Sequence, residues 1–445
     1  MKYNTIKCSL LICMMLLSVL AQAQSLSHFD FRNLKLQDAI DVALQQNKKL
    51  KVQTLRTGIS KLKEKDVRNE KLPDIEFLSS LHVLDNLHQY ENGLTNPSTS
   101  HETPRVKYNF TLEASIPIYT GGKLKYDDEK AELNTEIEGL RTQKEVRVVK
   151  MQVITAYLQG LHLKEQQNLL KDKMREDSLV IAQSEKLRKN GVVTNNDVLR
   201  TKLLLSNHQM AYSDLDKDLA ILEHQIKTLL ALPSDTDFHI HTDDLIAETD
   251  NIFVLDDLVA TANSNSEALR ILEKDVELKE LDKKITKSNV LPTISAGGEY
   301  GYNYPNFLFF PPVKHLYRIG AVGVNLKMPL SNFYKNKVKM NMVNEQIKIA
   351  QLEVEEQEEN IRHDVFAAQK KFEEANKKIV IANQAIEQAK ENYRIVRLKY
   401  SNQLSLITEL IDADNAYLEA QTQLISLQIN KQLKYYQLQY VLGKI

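Results

Sequence analysis

The sequence predicts an α+β membrane protein that enters lipid by β-strands and continues outside it as long coiled-coil helices. Three observations lead there. The chain opens with an export signal and has no later apolar helix long enough to span a bilayer. It is built as a twofold repeat, and each repeat holds two alternating strands followed by a very long helix.

Residues 1–23 read as a signal peptide. Lys2 and Lys7 give a basic start, Leu10 to Leu20 an apolar core, and Ala21-Gln22-Ala23 a small-x-small cleavage site. Both cysteines, Cys8 and Cys13, lie inside it, so the exported chain is expected to lack thiols, disulfides and Cys-based metal or catalytic sites. Beyond the signal no stretch approaches 18 uninterrupted apolar residues, so any membrane entry is expected through strands. Gly (13) and Pro (10) are scarce and Trp is absent, a composition of long helices rather than of a compact enzyme. The net charge of −1 points away from nucleic acid.

The first repeat occupies 24–232 and the second 255–445, with a belt segment at 233–254 between them. "LQDAIDVALQQNKKL" (36–50) answers "LDDLVATANSNSEAL" (255–269), and the expected helices, 36–72 and 255–291, stop before Pro73 and Pro292. "SIPIYTGGKL" (115–124) answers "KMPLSNFYKN" (327–336). "LRKNGVVTNNDVL" (187–199) aligns with "LKYSNQLSLITEL" (398–410) at an offset of 211, which sets Val198 and Thr201 opposite Glu409 and Asp412.

Strands are expected at 73–83 and 108–118, and again at 292–304 and 317–330. In "YNFTLEASI" (108–116) apolar and polar residues alternate with period two. The polar positions include Asp74, Glu76, Glu113, Glu299 and Lys327, which suit a wet lumen better than a core. Such strands match a transmembrane barrel. Four of them cannot close one, since about eight is the practical minimum, so several chains must share it.

Long helices are expected at 123–190 and 335–401, each spanning roughly 100 Å at 1.5 Å per residue. The second carries a heptad seam from Ile361, Val365, Ala368 and Phe372 to Tyr393, Val396 and Tyr400. Each long helix then turns, at Asn190-Gly191 or Ser401-Asn402, into a return helix, 194–232 or 404–442. Residues 24–35 and 233–254, with a possible short strand "FHIHT", form the expected belt.

The turn sequences "NGVVTNNDVL" (190–199) and "LKYSNQLSLITELIDADNAYLEAQ" (398–421), with the ending "YYQLQYVLGK" (435–444), resemble those of the TolC family of outer-membrane efflux channels. The resemblance covers essentially the whole exported chain. It implies a homotrimer whose twelve strands close one barrel, continued by a helical tunnel across the periplasm. It also implies a passive exit duct of a tripartite efflux or type I secretion system in the outer membrane of a Gram-negative bacterium. A periplasmic membrane-fusion adaptor and an inner-membrane RND or ABC-type pump would open it, and outer-membrane lipid would surround it.

By the same resemblance Glu409 and Asp412 correspond to an acidic gate pair, which in a trimer makes a ring of carboxylates that attracts cations. Asp197 and Tyr400 match positions that tie neighbouring coiled coils together when the gate is shut. Ser405 stands where the family often has arginine, so the expected closure is a weaker one through Asp197–Tyr400 hydrogen bonding. Adaptor docking is expected at the helix tips, Asn190, Gly191, Val192 and Val193 in one turn and Asn402, Gln403 and Leu404 in the other. Gln403 replaces a family glycine, which weakens the expected docking there relative to Gly191.

Other motifs carry less. "SKLK" (60–63) lies in a Lys-rich helix without companion catalytic motifs, and His239 with His241 reads as a belt surface rather than a metal pair. No catalytic residue, cofactor or metal site is expected. The competing reading is a soluble or peripheral periplasmic coiled-coil adaptor or scaffold, in which the strand pairs stay out of lipid.

Overall fold

The structure is a computed structural model that describes residues 31–91, 93–240, 254–309 and 312–445. The expected signal peptide, with both cysteines, and belt residues 241–253, with His241, lie outside these. The chain divides into two compact units: one comprises residues 55–140 and 270–355, the other those up to Thr54 together with 141–269 and 356–445.

The first unit holds the sheet. Strands β1 (Asp74–Val83), β4 (Val106–Tyr119), β5 (Thr293–Tyr304) and β6 (Tyr317–Lys327) pair antiparallel in the order β1-β4-β5-β6. Each repeat therefore supplies one hairpin, and β4 joins β5 across the repeat boundary. Within the long connection between β1 and β4, β2 (Leu87–Gln89) and β3 (Thr99–His101) form a separate small ribbon. Pairing register sorts the strand residues onto two faces, because successive side chains alternate. One face carries Ile75, Phe77, Leu112, Val322, Val324 and Leu326, all at least half exposed. An apolar sheet face left this open to its surroundings is what lipid covers. On the other face Glu76 lies opposite Glu113, and Glu113 opposite Glu299, so three carboxylates stand side by side. Like charges directly opposed are destabilising in a sheet, so this face must be well hydrated to carry them.

Packed helices complete the sheet unit. They are α2 (Lys48–Asn69), α6 (Glu267–Ser288), and the parts of α3 (Lys123–Lys189) and α7 (Asn332–Ser401) that fall within it. Their core is small: Leu133 and Ile137 of α3 against Leu278 and Leu281 of α6. Polar ties supplement it, with Asp128 bound by both Arg68 and Lys71 and Asn336 donating to the Thr286 carbonyl at 2.7 Å. The strand-to-helix turn at Gly121 (φ 66) needs glycine twice over, since a Cβ there would lie 2.8 Å from the Leu291 Cβ.

The second unit is all helical apart from bridging contacts. The segments 36–72 and 255–291, expected as single helices, each break once. The first becomes α1 (Leu36–Gln46) and α2, the second α5 (Leu255–Asn265) and α6. The break residues, Asn47 and Ser266, are equivalent in the repeat. Asn47 Oδ1 accepts from the N–H groups of Lys49 and Leu50, and Ser266 Oγ accepts from Leu269 N–H, so each starts a new helix as its cap. The main core joins Ala39, Val42 and Ala43 of α1 to Val149, Val153, Ile154, Tyr157 and Leu161 of α3. α4 (Asn195–Leu229) adds Leu222 and Ile226. Gly160 sits where a Cβ would meet the Ile240 Cδ1 at 2.1 Å, so the belt residue packs directly on helix backbone. The heptad seam of α7 is buried at Ile361, Val365, Ala368, Phe372, Ala375, Tyr393 and Tyr400.

Candidate gate at the helix turns

Both turns lie in the helical unit. At the first, Gly191 takes φ 76 and Val192 N–H returns to the Leu187 carbonyl at 2.9 Å, closing α3 in a Schellman arrangement. At the second, Gln403 takes φ 62 and Leu404 N–H returns to the Lys399 carbonyl at 2.8 Å. The far ends of the return helices repeat the pattern. Ala231 (φ 53) ends α4, and Gly443 (φ 71) ends α8 (Ile407–Val441).

These four left-handed residues fix the repeat register at 212, one residue away from the alignment expected from sequence. The slip arises because the sequence pairs Gly191 with Asn402, whereas the backbone puts Gln403 in the left-handed position. The correction changes who faces whom. Glu409 is the counterpart of Asp197, and Asp412 that of Arg200, rather than of Val198 and Thr201. Burial agrees, because Val198 and Thr201 are buried like their new counterparts Leu410 and Ala413. An acid in the first turn of the return helix is thus a property of both repeats.

The two acids sit differently within that shared position. Asp197 is locked in a capping box, its carboxylate accepting from Thr194 N–H at 2.8 Å while Asp197 N–H donates to Thr194 Oγ1 at 3.3 Å. α8 begins after Leu406, which has no side chain to cap it. There Ser405 Oγ donates to the Glu409 carboxylate instead. Glu409 and Asp412 are exposed on one side of the first turns of α8, and among the described residues neither has an ion-pair partner. Tyr400 is buried against Ile407 and Leu410, and its hydroxyl has no hydrogen-bond partner among the described residues. The expected Asp197–Tyr400 bond is not made within the chain: the capping box uses Asp197 and the apolar seam encloses Tyr400. Val192, Leu404 and Leu406 are exposed at the tips, Leu404 at 76 %.

A second polar cluster lies farther along the same helices, and the sequence reading missed it. Three residues within one turn of α3 reach three different helices. Lys173 ion-pairs with Asp414 of α8. Glu176 accepts from the Tyr393 hydroxyl and from Arg397 of α7, both at 2.8 Å. Asp177 meets His208 of α4 at 2.6 Å. A cavity of about 20 Å³ remains between them, room for about one water. Burial pulls the Lys173 ammonium down, but the Asp414 and Glu176 carboxylates outweigh it and hold the amine above its ordinary value. Burial also drives the Tyr393 phenol far up, with Glu176 adding to it, so Tyr393 is a hydrogen-bond donor throughout. The available signal was Asp414 itself, a carboxylate on the apolar stripe that begins with Ile407 and Leu410.

Nothing in this arrangement pairs a nucleophile with a base in an accessible cleft, and no group of three or more His, Cys, Asp or Glu among the described residues is arranged to hold a metal ion. A lipid-exposed strand hairpin from each repeat, with paired long helices ending in exposed turns, defines an outer-membrane channel subunit. The profile of the outer membrane efflux protein family matches residues 39–232 and 258–444, and the chain belongs to that family.

Solved structures agree in fold. The outer-membrane channel OprN is 16% identical over 92% of this chain and 90% of its own, with a TM-score of 0.75. CusC, whose structures concern transmembrane channel formation, is 14% identical over 93% of each chain, also at 0.75. The outer membrane protein VceC from Vibrio cholerae is 15% identical over 92% of this chain and 96% of its own, at 0.72. Comparison with curated protein sequences finds no match. The protein is an outer-membrane efflux channel component of a Gram-negative bacterium that reaches into the periplasm, and the expected fold class is the one its relatives share.

Proposed function

We propose that three copies of this chain form a passive exit duct, gated where α3 turns into α4 and α7 into α8. Its four strands would then make one third of a twelve-stranded barrel, consistent with the outer strands β1 and β6 each having a single partner in the chain. A periplasmic adaptor would grip the exposed apolar tip residues, and an inner-membrane pump would supply the energy. Substrate would pass by diffusion, with no bond made or broken.

The observation that carries the gate reading is the exposed carboxylate pair Glu409 and Asp412 in the first turns of α8, neither with an ion-pair partner among the described residues. Around a threefold axis these would form a six-carboxylate ring favouring cations. Its test is single-channel recording in planar bilayers: Glu409→Ala with Asp412→Ala should lower cation preference. Unchanged selectivity would sink the ring. The adaptor or scaffold reading is set aside by family membership and by the apolar, exposed sheet face.

A further inference from the structure

On the lipid-side face of the sheet, the strand residues are apolar, aromatic, small or hydroxylic with a single exception. β1 presents Ile75, Phe77 and Leu81, β4 presents Tyr108, Phe110 and Leu112, and β6 presents Val322, Val324 and Leu326. Arg318, the second residue of β6, is the one charged side chain there, and it is exposed. We infer that Arg318 and the tyrosines around it form a binding site for the phosphate of an anionic lipid headgroup in the outer leaflet of the outer membrane. The inference rests on the outer-membrane placement, not on the gate.

Depth comes first. From Arg318 to Leu326 the lipid-side residues of β6 cover roughly 26 Å of strand at about 3.3 Å per residue, and strand tilt shortens this to about 20 Å of height. On β6 Arg318 therefore marks one end of the lipid-side apolar residues, with Val322 near their middle. It belongs to the end of the sheet joined by the β5–β6 loop, away from the ends that lead into α3 and α7. Because the helices reach into the periplasm, that end faces the outer leaflet.

Chemistry comes next. The guanidinium lies 5.5 Å from the centre of the Tyr300 ring, and Tyr302 is its direct cross-strand neighbour. Tyr300 and Tyr302 meet edge to face at 6.3 Å, and Tyr108 stacks on Tyr304 at 4.9 Å, so an aromatic shelf surrounds the cation. Tyr302 and Tyr300 also accept hydrogen bonds from the guanidinium, which hold it in place, and because arginine carries five N–H donors others remain for a ligand. Those donors match a phosphate bidentately. Among the described residues no carboxylate is paired with Arg318, and the acidic row Glu76–Glu113–Glu299 belongs to the opposite face. Positive charge meeting a phosphate at the edge of an apolar band is the complementarity that selects the occupant.

The test uses the full-length protein in detergent, with native mass spectrometry reading retained lipid. The probes are phosphorylated lipid A, the same lipid with its phosphates removed, and inorganic phosphate. Wild type should retain phosphorylated lipid A about tenfold more than Arg318→Leu, the loss expected for a charge-assisted hydrogen-bonded pair. Arg318→Lys should fall between, because it keeps charge but not the bidentate fork. Inorganic phosphate should leave the retention unchanged. Equal retention of the dephosphorylated lipid by wild type, or equal retention of lipid A by Arg318→Leu, overturns the site. Displacement by inorganic phosphate overturns the lipid assignment. The wild-type comparison of the two lipids needs no variant to fold, and heat-modifiable migration verifies the barrel in the variants.

Discussion

Lys173 and Asp414 meet across the α3–α8 contact with side chains only 6% and 7% exposed, an ion pair almost wholly removed from water. Removing one partner of such a pair strands the other, which typically costs about 3–5 kcal/mol. Glu176 also lies 3.0 Å from the Lys173 ammonium, so the lower end applies. Asp414→Ala should therefore destabilise the helical unit by about 3 kcal/mol, while Lys173→Met with Asp414→Leu should stay within about 1 kcal/mol of wild type. Urea unfolding followed by helical circular dichroism measures both. A double variant as weak as the single one contradicts the argument.

Glu176 links the same region to pH. Burial would raise its carboxyl, but donors from Tyr393 and Lys173, with Arg397 nearby, win and hold it below its ordinary value of 4.5. A lowered folded pKa contributes stability that is present above the unfolded value and lost as pH falls through the folded one. Wild type should accordingly lose stability below about pH 4.5 more steeply than Glu176→Gln. Parallel acid limbs for the two proteins would show that Glu176 does not carry the effect.

The left-handed residues distinguish the two repeats. Gln403 and Ala231 carry side chains in a conformation that glycine tolerates without penalty. Gln403→Gly and Ala231→Gly should each raise stability by about 0.5–1 kcal/mol, seen as higher unfolding midpoints. Gly443→Ala should go the other way by about 2 kcal/mol or more, since its Cβ would lie 2.5 Å from the Asn265 Cβ. Gly191→Ala meets open space and should lose only the backbone term, about 1 kcal/mol.

Val322 is 94% exposed near the middle of the lipid-side apolar residues of β6. Val322→Arg should destabilise the membrane-inserted barrel by about 2–4 kcal/mol, whereas Ala321→Arg on the wet face should cost far less. Refolding titrations into lipid vesicles compare them. Similar losses for both would mean that the faces are wrongly assigned.

Much of this was legible because periodicity reports burial. The α7 seam from Ile361 to Tyr400 appears in the sequence as spacings of three and four; in the structure it is buried from Ile361 to Ala375 and at Ala382, Tyr393 and Tyr400, and half-buried at Ile379, Ile386, Ala389 and Val396. The alternation in β4 likewise separates Glu113 from Leu112 before any register is known. What escaped was local backbone chemistry and pairing at a distance. Asn47 and Ser266 stop helices through side-chain caps that leave the apolar pattern undisturbed. The register slip hid because Asn402 is as plausible a left-handed residue as Gln403, and only the backbone decides. Asp177 and His208 look like ordinary surface residues until α3 and α4 are laid together.

The order β1-β4-β5-β6 also dictates when the sheet can exist. β4 finds its second neighbour only after α3, α4, the belt, α5 and α6 have all been delivered, because β5 follows them in the chain. During export the first hairpin must wait with both flanks unpaired, a template for any stray strand it meets. The β4–β5 pairing is therefore late in this chain's biogenesis, a contact between segments far apart in sequence, the kind that forms slowly.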